Sequence, residues 1–163
     1  MTLRLVIASA LLVACAAASA APSAMDTDFV TKAGQAGLAE VAAGRMAEQQ
    51  GQSAATKSFG KRMVADHTKA GDALKVAAEK SGAKVPTTMS DEQKQAGEKL
   101  AGMKGDAFDK AYADQMVKDH EEAVALFEKE STSGSDSDLK AFAGMTLPTL
   151  QEHLKMAKAL PGK

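Results

Sequence analysis

From about residue 25 onward, apolar positions recur every three to four residues along nearly the whole chain. No stretch alternates apolar and polar side chains with the period of two that a half-buried strand needs. The pattern predicts an all-α protein. Asp26 or Thr27 can cap a first helix running to about Gln50, and Gly51-Gln52-Ser53 reads as a tight turn. Ser53 caps a second helix to about Lys80, with Gly82 placed for a left-handed stop. After the loop "AKVPTTM", Ser90-Asp91-Glu92-Gln93 is a capping box opening a short helix to about Met103. Gly105-Asp106 begins a third long helix that ends near "STSGSDSD". A fourth covers about Asp136 to Leu160, with Pro148 inside it as a predicted kink.

Four long helices, two tight turns and one long connection predict a four-helix bundle with a short extra helix between long helices 2 and 3. The connection, residues 82–105, either returns the chain along the bundle, as in ferritin-like topology, or caps one end of an up-down-up-down bundle. The ferritin-like return is the favoured reading.

One phrase is written twice, "MVADH" at 63–67 and "MVKDH" at 116–120, in a chain that owns three histidines. The offset also pairs Phe59 with Tyr112, Ala70 with Ala123 and Leu74 with Phe127, so two helices present equivalent stripes to one core. At helical spacings His67 is flanked by Gly60, Met63, Val64, Ala70, Gly71 and Leu74, which turns it inward. The same walk around His120 and His153 meets mainly apolar residues. Glu40 is surrounded by Ala and Gly at those spacings, an unusual place for a carboxylate because an unpaired buried charge is expensive. Counted from the tight turns, Glu40 lies about 17 Å, His120 about 21 Å, His67 about 23 Å and His153 about 28 Å along the helices, so either topology gathers them near mid-height.

Two chemistries fit such a cluster. One is a hydrogen-bonded network that only fixes helix register. The other is a transition-metal site, Glu40, His67, His120 and His153 being a donor set suited to zinc, iron, manganese or copper. Met63 and Met116, one turn before their histidines, are soft atoms that favour copper if they reach the site and core filling if they do not. Carboxylate-bridged di-iron chemistry is disfavoured: the residues three before the histidines are Val64, Val117 and Leu150, where that class carries Glu. Asp66 and Asp119 point about 100° away from their neighbouring histidines and are expected to pair with Lys or Arg.

Composition narrows the rest. Residues 1–24 have the layout of a secretory signal peptide, with Arg4 ahead of an apolar run, and so predict export to the periplasm. Ala18-Ser19-Ala20 would release a soluble protein near Ala21, whereas "LVAC" resembles a lipobox that would lipidate Cys15 and anchor the protein at the outer membrane. The folded domain is then residues 25–163. Without Arg4, 19 of the 20 basic residues remain against 21 acidic ones, interspersed, which excludes the basic face that nucleic acid requires. Cys15 is the only cysteine, so the domain has neither disulfide nor thiolate site. No phosphate loop, nucleophile elbow or zinc-protease spacing is present, and no reaction or protein partner is specified.

The segments "FGKRMVADHTKAGDALKVAAEKSG", "FDKAYADQMVKDHEEAVALFEKES" and "LKAFAGMTLPTLQEHLKMAKAL" resemble the bacterial family called domain of unknown function 4142 over about residues 26–160. The resemblance implies an exported, ferritin-like four-helix bundle from a Gram-negative bacterium and places Glu40, His67, His120 and His153 on motif positions. It implies no reaction. The "outer membrane protein" label often given to the family does not mean a β-barrel, since alternating strands are lacking. A role in metal handling or envelope stress is the expectation, with a non-catalytic structural or interaction protein as the alternative.

Overall fold

The computed structural model describes residues 21–161. It contains helices α1 (Ala24–Gln50), α2 (Ala54–Ser81), α3 (Asp91–Ala101), α4 (Gly105–Ser133) and α5 (Ser137–Ala157), and no strand among the described residues. The leader residues with Cys15 and the Ala18–Ala20 site lie outside the described residues. No described helix is long and apolar enough to cross a membrane.

Local signals set most of the boundaries. Ser53 accepts a hydrogen bond from Thr56 N, Gly82 ends α2 at φ 76°, and Ser90 with Gln93 forms the capping box of α3. Asp136 caps α5 by accepting from the N–H groups of Asp138 and Leu139, and the helix continues through Pro148. The start of α1 differs from expectation. Its cap is Ser23, in a reciprocal box with Asp26, one turn before the capping position read from the sequence. Asp26 is free for that role because its other oxygen is used elsewhere in the fold.

Two buried aspartates fix how the helices run. Asp109, in the first turns of α4, accepts from Gln52 N and Ser53 N, both at 2.8 Å, so α4 starts beside the α1–α2 turn. Asp26, at the start of α1, accepts from Ser135 N at 2.8 Å and Asp136 N at 3.4 Å, so the α4–α5 turn lies at the opposite end. Residues 82–104, including α3, therefore carry the chain back along the helices. α1 and α5 run one way, α2 and α4 the other. The strongest packing is α1 on α2 and α4 on α5, completed by α1 on α4 and α2 on α5, while α3 lies mainly on α1. At the α1–α2 crossing a side chain on Gly44 would meet the Gly60 carbonyl, and one on Gly60 the Gly44 carbonyl, so these glycines let the two backbones touch.

The interior is two apolar clusters. One holds the Phe29, Phe127 and Phe142 rings with Leu74 and Leu150; the other holds Phe59, Met63, Phe108, Tyr112 and Met116. Each fully buried aliphatic or aromatic side chain contributes on the order of 1.5–3 kcal/mol. On every long helix one polar residue falls between the two clusters: Glu40 between Ala33 and Ala43, His67 between Met63 and Leu74, His120 between Met116 and Phe127, and His153 between Leu150 and Ala157.

Candidate functional site

The three imidazoles form a nearly equilateral triangle, with ring centroids 5.6 Å apart for His67 and His120, 5.5 Å for His67 and His153, and 5.4 Å for His120 and His153. The Phe59 ring lies 6.5 Å from that of His120 and 6.4 Å from that of His153. His120 and His153 are each 1 % exposed, which shuts both rings off from bulk solvent.

Hydrogen bonds fix which nitrogen the His120 and His153 rings leave open. His120 Nδ1 donates to the Met116 carbonyl at 2.8 Å, which makes Nε2 the lone-pair nitrogen, and Nε2 has no partner. His153 Nε2 lies 2.8 Å from Asp66 Oδ2. Burial alone would raise the Asp66 pKa, but the bonds from His153 and Arg62 outweigh it and hold the carboxylate ionised. His153 Nε2 is therefore the donor, and its Nδ1 is left buried and unpartnered. His67 Nε2 is unpartnered as well. One ligand atom from each of the three histidines falls within 4.8 Å of the others. An ion bonded to imidazole at about 2.0 Å spaces its donors roughly 3.3–3.5 Å apart, so binding requires the three rings to turn inward.

The charge state suits coordination. Burial, and then the neighbouring imidazoles, lower the His67 pKa to about 3; burial, opposed by the bond to Met116, lowers His120 to about 4. Burial lowers His153 too, against the pull of Asp66. All three rings are neutral near pH 7, the form that offers a lone pair.

Glu40 stands apart from this triad. It is 5 % exposed, and its Oε1 lies 3.8 Å from His120 Nδ1, the nitrogen engaged with Met116. Its carboxyl thus faces the back of the His120 ring, and Oε2 has no partner. Burial, with Asp119 nearby, pushes its pKa well above the usual carboxylate range. Glu40, His67, His120 and Asp119 all line a cavity of about 400 Å³. Met63 and Met116 are fully buried in the Phe59–Tyr112 cluster.

Asp66 is the residue whose role sequence reasoning missed. Its pairing with Arg62 at 3.2 Å follows the expectation, but the contact to His153 crosses to another helix. Its position 100° around α2 from His67 is the available signal: what turns it away from its own histidine turns it toward that of α5. Carboxylates placed behind histidine ligands in this way orient the ring and increase its basicity.

Comparison with known proteins agrees with the helical fold. A solved fragment of DUF305 from Deinococcus radiodurans superposes with a TM-score of 0.73 at 11% identity, covering 86% of this chain and 97% of that one. CopM in the Cu(I)-bound form superposes with a TM-score of 0.67 at 15% identity, covering 82% and 93%. No curated protein sequence matches. The family described as Domain of unknown function (DUF4142) matches residues 12–160, and the chain belongs to that family.

Proposed function

We propose that this protein is a ferritin-like four-helix bundle that binds one transition-metal ion through His67, His120 and His153, in an exported, metal-handling role in the bacterial envelope. The observation that carries the reading is the set of buried ring nitrogens left without any partner, one per histidine, on three different helices. Leaving such atoms unsatisfied costs about 1–3 kcal/mol each, a cost that a bound ion removes. The reciprocal turns and the returning connection support the ferritin-like description.

Cuprous copper fits the site best. Three neutral imidazoles with no thiolate place the full ionic charge in a buried layer, and a monovalent ion carries half the charge of a divalent one. Low-coordinate Cu(I) also needs no fourth donor. CopM, which shares the fold, was solved in a Cu(I)-bound form, and this supports the choice of ion. Asp66 holds His153 in the tautomer that points Nδ1 at the ion, and Glu40, one ring removed, supplies a group able to balance its charge. The chemistry required is capture and shielding, with no bond made or broken in a substrate.

The test is anaerobic titration of metal-free protein with Cu(I) and with Zn(II), against a chelator of known affinity. One ion per chain, lost in His67→Ala, His120→Ala and His153→Ala but retained in Lys129→Ala, supports the reading. Equal retention in all four variants, or no binding in the parent, overturns it and leaves the cluster as a structural network.

A further inference from the structure

The cavity beside the triad is larger than an ion needs. At about 400 Å³ it holds roughly a dozen water-sized groups, within the range of small-molecule sites. Its walls are largely apolar, drawn from α1, α2 and the segment Val85-Pro86, with Phe127 and Phe142 from the core cluster.

Two features show that the space is built into the helices. Gly37 on α1 and Gly71 on α2 both line the cavity, and a side chain added at either would meet no atom within 4 Å. Each glycine lies inside a long helix, where it costs about 1 kcal/mol relative to alanine. Unlike Gly44 and Gly60, neither is required by a close backbone approach. Independently, the Glu40 carboxyl lines the same cavity while 5 % exposed, with Oε2 lacking any hydrogen-bond partner. A buried polar atom in an otherwise apolar chamber is the arrangement that orients a bound molecule by one contact.

The geometry points to a binding site for a small organic molecule with an apolar body of about eight to ten carbons and a hydrogen-bond-donating head, an alcohol or a primary amine, seated on Glu40. The body fills the space opened by Gly37 and Gly71. The carboxyls of Glu40 and Asp119, close enough for Asp119 to raise the Glu40 pKa, disfavour a carboxylate head beside them; Arg45, Asp72 and Lys75 are the other charged residues lining the cavity. The site adjoins the imidazole triad, since His67 and His120 line the same cavity, but Glu40 and the two glycines that define it are not among the three metal-binding histidines.

Calorimetric titration of the chelator-treated full chain with 1-octanol, octylamine and octanoate tests the assignment. Saturable one-to-one binding of octanol or octylamine is expected, with octanoate at least tenfold weaker. Gly37→Leu and Gly71→Leu, one on each helix so that a folding failure in one leaves the other, should each weaken binding at least tenfold. Copper stoichiometry of the same variants, measured separately, should stay at the parent value, which separates failure here from failure of the metal reading. Absence of binding, equal affinity for all three probes, or unchanged affinity in a folded leucine variant overturns the proposal.

Discussion

The two aspartates that join the helix ends and the polar residues of the central layer are all buried, but the fold treats them in opposite ways. At the ends, each Asp26 and Asp109 oxygen accepts at least one hydrogen bond, including from backbone N–H groups of the facing turn. Burial raises both carboxyls, yet these bonds outweigh it, holding Asp26 at about 2 and Asp109 below the usual range. In the middle, His67, His120, His153 and Glu40 each keep an atom with no partner. The two aspartates that latch the helices are saturated by the fold, whereas Gln50 and Glu130, also at the ends, keep buried oxygens without partners. The central layer is left open, as a group awaiting a ligand must be.

The sharpest break between the two regions is their response to metal. With free Cu(I) at a thousand times Kd, the parent should gain about 4 kcal/mol of unfolding free energy. His120→Leu should lose that gain while the metal-free protein changes by less than about 1 kcal/mol, because the substitution removes an unsatisfied nitrogen. Urea unfolding of both forms, with and without copper, checks this; a large loss of metal-free stability would place His120 with the latches.

Next in size is Asp109→Ala, expected to cost about 2 kcal/mol by stripping two partly buried N–H groups of their charged acceptor, with metal affinity unaltered. A loss below about 1 kcal/mol in urea unfolding would remove the distinction between the regions. Asp66→Asn addresses the support of the triad. It should weaken metal binding about 10- to 100-fold and leave metal-free stability nearly unchanged, since Asp66 is partly exposed. Unchanged affinity in the chelator competition would make the Asp66–His153 contact incidental.

The smallest effect is the share of the pH dependence that arises at one end. Burial, and then Asp26 and Asp136, raise the Glu130 pKa from 4.5 to about 7, against Lys140; protonated, Glu130 can donate to Asp26. A raised folded-state pKa means stability fully present below pH 4.5 and lost as pH rises through about 7. Asp26 has the opposite sign: its lowered pKa gives stability present above pH 3.8 and lost as pH falls through about 2. Glu130 therefore contributes a decline in melting temperature from mildly acidic to neutral pH, set against the rise contributed by the three histidines, and Glu130→Gln should remove that contribution and turn the slope toward a rise. An unchanged slope would assign it to other groups.

Much of the helical layout is legible in the sequence because its signals are local. Ser53, Gly82, Ser90 and Asp136 act within four residues of themselves, and the apolar period shows which faces turn inward. The start of α1 is not, since Ser23 lies in the stretch that reads as leader, which leaves Asp26 as the nearest capping residue. The second oxygen of Asp26 contacts a residue 109 positions away, a partner that no local pattern names. The inward placement of the histidines follows from periodicity, but the side-chain angles that separate Glu40 from their shared centre do not. For the same reason Asp66 reads as a flank charge, although its position around α2 already points it toward another helix.

X-ray absorption at the copper edge of the anaerobically loaded protein tests the central claim most directly. Three nitrogen neighbours near 2 Å, with one copper per chain, are the predicted result. A sulfur shell from Met63 or Met116, or a spectrum unchanged by replacing all three histidines, would contradict it.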